Sequence, residues 1–246
     1  MKPPVPHGPG PLAGLRNRTP ARVALGHCGA GLPTPALLDF QLDHARARDA
    51  VHERLDLQRL AADLAIPEVI RVHSQAPDRT TYLQRPDLGR RLAPECIDAL
   101  PIGPYDVAFI LGDGLSARAV QLHAAPTLRS ILRALTGWRV APVILATQAR
   151  VALGDDIGAR LNAAISVVLI GERPGLSAPD SLGAYLTWKP AAGRRDHERN
   201  CISNIRPPQG LAYEEAAARA VWLMQAARRV GHTGFLLKDD SAIIQP

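Results

Sequence analysis

The stretch DVAFILGDGLSARAVQLHAAPTLRSILRAL, residues 106–135, sets the fold class of this chain. DVAFILG is an apolar run that ends in a Gly-Asp-Gly turn, and the segment after it carries helical spacing. APVILAT (141–147) repeats the strand signal, ALGDDIGARL (152–161) reads as a short helix, and ISVVLIGERPG (165–175) as a third strand. Apolar strands that lack in-out alternation, separated by helices, predict a parallel sheet covered on both faces. Residues 101–246 are therefore expected to form a doubly wound, mostly parallel α/β domain. GAYLTWKP (183–190) is a candidate further strand. YEEAAARAVWLMQAARRVG (213–231) reads as an amphipathic helix with Ala217, Val221 and Met224 on its apolar face and Gly231 closing it.

Upstream the rhythm differs. Residues 1 to about 20 hold six prolines and no acid, so residues 1–33 read as a basic, proline-rich arm, either mobile or laid on a partner. Thr34-Pro35 reads as an N-cap with proline at the first helical position, and helical spacing follows through Leu38, Leu42, Ala45 and Val51. Asp43 precedes Arg46 along this helix, which suits a solvated or partner-facing side. Residues 34–100 as a whole are expected to be a mainly helical region, with a short helix at Leu57–Leu64 and an extended piece at Val69–His73. SQAPDRTTYLQRPDLGRRLAPECIDAL (74–100) is polar and broken by prolines, the kind of segment that needs a partner or ligand to justify its order.

Length and composition narrow the classes. At roughly 150 residues per domain, 246 residues predict one large domain or a domain with an appendage. With 39 alanines and ten aromatics, the core must be aliphatic and finely packed. The longest apolar runs fall far short of the ~18 residues of a membrane span, and the proline-rich N-terminus lacks the continuous apolar stretch of an export signal. Three scattered cysteines, Cys28, Cys96 and Cys201, argue against a disulfide framework and for a reducing cytoplasm. Neither C-x-x-C nor H-x-x-x-H occurs, so no zinc site is expected.

The net charge of +6 and pI near 9.7 raise nucleic-acid binding as one alternative. Lys2, Arg16, Arg18 and Arg22 precede the first acid, Asp39, and leave 25 cations against 23 acids in the remaining chain. The excess charge thus belongs mostly to the arm, and neither interleaved aromatics nor a nucleic-acid motif accompanies it.

Ligands of open α/β sheets collect beyond the carboxyl ends of the strands. That rule selects three loops: GDGLS (112–116), TQARVALGD (147–155) and GERPGLSAPDS (171–181). The first has two readings. Its glycines and the helix started by Ser116 suit an anion site, which would make the chain a stand-alone nucleotide-binding enzyme. Alternatively, Asp113 shapes a turn and Ser116 caps a helix, and Ala117 makes the dinucleotide fingerprint a weak match. Glu172 places a carboxylate at a strand mouth, either as a neighbouring salt bridge or loop brace or as an acceptor for the amides of a large ligand. Cys201, in RNCISNI, reads as a small buried hydrophobe rather than a nucleophile, since no histidine is tied to it by sequence and no G-x-S-x-G elbow occurs. His44, His52, His123 and His197 read as surface residues.

LLDFQLDHARARDAV, SQAPDRTTYLQRPDLGRRL, DVAFILGDGLSARAV, ARVALGDDIG, VVLIGERPGLSAPDSLGAYLTW and RNCISNIRP together resemble the small (light) subunit of ethanolamine ammonia-lyase, in the family's order from about residue 15 to 238. GERPGLS and NCISNI are the most specific pair. The resemblance implies an adenosylcobalamin-dependent lyase that converts ethanolamine to acetaldehyde and ammonia. It implies a Rossmann-like domain clamping the cobalamin against a large TIM-barrel subunit, in an assembly of six large and six small chains. Residues 34–100 would lean on the large subunit. By motif, the implied cobalamin contacts are Val151 in ARVALGD, Glu172 in GERPG and Cys201 in NCISNI. No catalytic residue and no protein metal ligand is implied here, since the chemistry belongs to the large subunit. The D-x-H-x-x-G motif of proteins that displace the lower base is absent, so binding is expected base-on. Some relatives enter bacterial microcompartments through an N-terminal extension. Here that region is short and proline-broken, and the expected location is the cytoplasm, with a microcompartment as the alternative.

Overall fold

The computed structural model describes residues 13–19 and 21–240. Residues 1–12, about a third of the expected arm, lie outside the described residues. Further along that arm, Arg22 pairs with Asp43 and lies over the Phe40 ring, so this part rests on the first helix.

The elements in chain order are α1 (Thr34–His52), α2 (Leu57–Leu64), β1 (Val69–His73), α3 (Arg79–Gln84), β2 (Val107–Gly112), α4 (Ala117–Ala134), β3 (Val143–Thr147), α5 (Leu153–Leu161), β4 (Ile165–Gly171), β5 (Leu182–Trp188), β6 (Arg199–Ile205) and α6 (Tyr213–Val230). The six strands form one sheet in the order β1-β3-β2-β4-β5-β6. The first four run parallel, while β5 and β6 join antiparallel. The reason is local: β4, β5 and β6 follow one another through loops without a crossover helix, and such connections cannot bring strands in parallel. The expected mostly parallel α/β sheet is present, preceded by helical elements. Strand β1 pairs with β3, so the 34–100 stretch supplies an edge strand across the boundary expected at residue 100.

Both faces of the central strands are buried, as their unbroken apolar runs require. Phe109, Leu111, Val167 and Leu169 face Leu60 of α2, Leu128 and Ile131 of α4, and Val221 and Met224 of α6. Ile110, Ile144, Val168 and Ile170 face the other way, against Leu153, Ile157 and Leu161 of α5. Gly231, in the left-handed region, ends α6 as expected. This second layer stops short of the sheet's antiparallel edge. There Tyr185 is half-buried and Ser203 is exposed, and Cys201 is exposed too rather than the buried hydrophobe expected, because among the described residues no helix covers this end of the sheet face.

Three expectations need correction. Thr34 is the first residue of α1 and makes no side-chain cap; Pro33 precedes it as the cap residue. Leu38 and Leu42 do not enter the core: they are 57% and 50% exposed, because α1 buries only Ala50 near its far end. His123 is buried, unlike the exposed His44, His52 and His197, because its position on α4 faces α6, where Nδ1 lies 2.9 Å from the Tyr213 hydroxyl.

The buried His123 has a measurable consequence. Burial lowers its pKa, with Asp180 pulling up and Arg206 pushing down. A base whose folded pKa lies below its unfolded value of about 6.5 favours folding above that pH and loses the contribution as pH falls below it. Melting temperature should drop as pH falls below about 6.5, and His123→Gln should flatten that part of the curve. Parallel curves for parent and variant would refute the assignment.

Candidate functional site

The loops at the carboxyl ends of β2, β3 and β4 converge as the sheet order requires. Between β2 and β3, however, the protein fills the crevice with its own carboxyl group. Asp113 is buried and accepts from the Gln148 and Ala149 amides, each at 2.9 Å, with the Arg79 guanidinium 3.5 Å away. Burial raises the Asp113 carboxyl pKa, and those amides and Arg79 offset part of the rise. Ser116 Oγ accepts from the Ala119 amide at 3.2 Å, capping α4, and donates to the Pro179 carbonyl at 2.8 Å. Gly114, at φ +57°, packs against the backbone of Gly171. The turn-and-cap reading of GDGLS therefore holds, with the Asp113 carboxyl taking up the amides that an anion site would offer.

Val151 lies in the turn after β3, half-buried against the second core layer. The polar, proline-broken stretch upstream holds this turn in place. Tyr82 is fully buried between the guanidinium groups of Arg79 and Arg150, 4.8 and 4.3 Å from its ring centre, and donates to the Ala149 carbonyl at 2.9 Å. The Arg150 amide donates to the Gly89 carbonyl at 2.8 Å. Segment 79–90 thus owes its order to packing on this turn.

Glu172 follows β4 and, among the described residues, carries no ion pair; neutral donors hold it instead. Ser181 Oγ donates to Oε2 at 2.5 Å, Ser203 Oγ to Oε1 at 2.6 Å, and the Asn204 amide to Oε2 at 3.3 Å. Asn204 adopts φ +59°, a left-handed kink at the end of β6.

Cys201 pairs in register with Tyr185 across β5 and β6. Desolvation by its neighbours raises the thiol pKa, the Tyr185 hydroxyl opposes part of that, and the Glu172 charge adds to it. The thiol therefore stays protonated at neutral pH and is no nucleophile. Strand alternation puts Cys201 and Ser203 on the second face with Tyr185, opposite the buried Ile202.

The structure thus places Glu172 and Cys201 around one uncovered patch, and Val151 against the same core layer at the mouth of β3. Ser181, Ser203 and Tyr185 complete the patch, although sequence reasoning singled out none of them. A separate cleft of about 460 Å³, between α1 and the loop after β4, is lined by both signs of charge, including Asp43, Arg46, Arg118 and Arg206, and does not include Glu172. Among the described residues, no group of three or more His, Cys, Asp and Glu side chains is placed to hold a metal ion. No helix there is long and apolar enough to cross a membrane.

Comparison with known proteins gives one consistent result. A family model described as ethanolamine ammonia-lyase light chain (EutC) matches residues 9–238. The ethanolamine ammonia-lyase small subunit of Bradyrhizobium diazoefficiens is 53% identical over 240 residues, covering 94% of this chain and 92% of the relative. The proteins of the same name from Azotobacter vinelandii and Pseudomonas fluorescens are 50% and 49% identical, each covering 95% of this chain and 90% and 88% of the relative. The chain belongs to the ethanolamine ammonia-lyase small-subunit family and is one part of a lyase.

Proposed function

We propose that the chain clamps cobalamin in an adenosylcobalamin-dependent ethanolamine ammonia-lyase of ethanolamine degradation, against a large TIM-barrel subunit that holds the substrate. The observation that carries this reading is the Glu172 carboxylate, fixed by neutral donors on the uncovered end of the second sheet face beside Cys201. Adenosylcobalamin, when bound, supplies the radical that starts the 1,2-elimination of ethanolamine to acetaldehyde and ammonia.

The residues present fit that group. A corrin rim carries neutral primary amides, and Glu172 is an acceptor aimed by Ser181 and Ser203. Val151 contributes apolar contact. Cys201 offers a small polarizable side chain and its backbone where a larger group would collide. These residues orient the ligand and, once the large subunit closes over them, exclude water; none of them moves a proton. No histidine of the chain stands in the motif that displaces the lower base, which supports base-on binding without a protein ligand to cobalt. The outward Leu38 and Leu42 of α1 support residues 34–100 as the docking side for the large subunit. Six small chains with six large ones, in the cytoplasm, complete the proposal.

Co-expressed with its large subunit, the chain should support ethanolamine deamination only when adenosylcobalamin is supplied. A reconstituted complex without activity overturns the assignment. Glu172→Ala should weaken cobalamin binding about ten- to hundredfold, the scale of a hydrogen bond to a charged group, while size-exclusion chromatography shows an intact complex. Unchanged affinity would remove Glu172 from the cofactor site.

A further inference from the structure

We propose that Ser203 and Ser181 are positioning residues which, with the Asn204 amide, leave Glu172 a single open acceptor position and so match it to one neutral N–H or O–H donor of the ligand. This rests on the proposed cobalamin-binding role of the same face.

The argument is a count of hydrogen-bonding capacity. A carboxylate offers about four acceptor positions, two on each oxygen. Oε2 already receives Ser181 Oγ and the Asn204 amide, and Oε1 receives Ser203 Oγ. One position remains, on Oε1. Space beside that oxygen is reserved: a Cβ at Gly183 would stand 2.9 Å from Oε1 and 3.0 Å from the Tyr185 ring. Each serine uses its one proton on Glu172, so the exposed Ser203 oxygen can only accept from outside. The Glu172–Ser181–Ser203 cluster therefore presents acceptors alone. It suits a carboxamide or a sugar hydroxyl, and it repels a phosphate or carboxylate.

Positioning and direct contact are separated by a double-mutant cycle on the co-expressed two-subunit complex, with cyanocobalamin as the probe and its absorbance change as the readout. Ser203→Ala should weaken binding about fivefold, because it loosens the Glu172 carboxylate without removing its contact to the ligand. Ser203→Thr, which keeps the hydroxyl, should bind like the parent. In a Glu172→Ala background, Ser203→Ala should have no further effect. A Ser203→Ala loss of equal size in both backgrounds, or no loss in the parent, overturns the positioning role while leaving the cofactor face in place. If Glu172→Ala itself leaves cyanocobalamin affinity unchanged, the reading of the face fails and the inference with it. Ser203 is exposed on β6, and thermal unfolding of each variant confirms that the fold is retained.

Discussion

Replacing Arg199 with alanine should destabilise the protein by about 3–5 kcal/mol, the scale of leaving one member of a buried ion pair alone. Arg199 and Asp155 side chains are each 2% exposed. The guanidinium meets the carboxylate through two parallel bonds of 2.6 and 2.7 Å, and also donates to Thr187 Oγ1 and the Arg194 carbonyl, each at 2.9 Å. Without it, Asp155 remains in the interior with its charge uncompensated. Burial already raises the Asp155 carboxyl pKa against the pull of Arg199, so the pair contributes less net stability than its short bonds imply. The double replacement Asp155→Leu with Arg199→Met should accordingly recover most of the loss, because removing both charges also removes the desolvation cost. Thermal unfolding of the purified complex reads both effects. A loss under about 1 kcal/mol for Arg199→Ala, the range of an exposed pair, would show that water reaches the site. The pair also has a geometric role: Asp155 lies in the first turn of α5, just after Val151, and Arg199 opens β6, two residues before Cys201. It fastens together two elements that come from distant parts of the chain.

What could be read from the sequence follows from how local each signal is. Strands β2, β3 and β4 are unbroken apolar runs, and α6 has one apolar face with a terminal glycine, so each announces itself within its own residues. RNCISNI does not. As an edge strand open on one face it alternates exposed Cys201 and Ser203 with buried Ile202, and its polar half reads as loop. Val69–His73 was legible as an extended segment, but its place beside β3 depends on a pairing that no local pattern encodes. His123 looked like a surface residue because helical spacing marks a face without saying what packs on it, and here that is Tyr213. The site divides the same way. A carboxylate at the mouth of β4 is visible in GERPG, whereas Ser181, Tyr185 and Ser203 reach it only through the antiparallel pairing of β4, β5 and β6. One signal does lie within GERPGLSAPDSLG: its last serine and glycine, Ser181 and Gly183, are the residue types that hydrogen-bond the glutamate and leave it room.

Gly171→Ala should impair both stability and cofactor binding, because the position is enclosed by backbone. A Cβ there would collide with the Ser116 carbonyl and come within 2.8 Å of the Asp113 carbonyl oxygen. Neither obstacle is a side chain that can rotate away, since both belong to the turn connecting β2 to α4. The same contact is reciprocated by Gly114, and it is sealed by the Leu115 amide donating to the Gly171 carbonyl at 3.0 Å. Accommodating the methyl group means pushing the end of β4 away from β2. Overpacking against a rigid surface costs about 1–3 kcal/mol, and loss of the Leu115 hydrogen bond adds about 1 kcal/mol, so a total near 3 kcal/mol is expected. The displaced residue is followed directly by Glu172, whose bonds to Ser181 and Ser203 leave little tolerance. Cobalamin affinity of the surviving complex should therefore fall by at least about tenfold, equivalent to 1.4 kcal/mol. Gly175→Ala is the matched control. It lies four residues along the same loop, where a Cβ would meet nothing nearer than the Ala178 carbonyl oxygen at 3.8 Å, and it should leave melting temperature and affinity unchanged. If Gly171→Ala behaves like Gly175→Ala, the turn after β2 yields more easily than its backbone contacts imply. The Glu172 carboxylate would then owe its position to Ser181 and Ser203 alone.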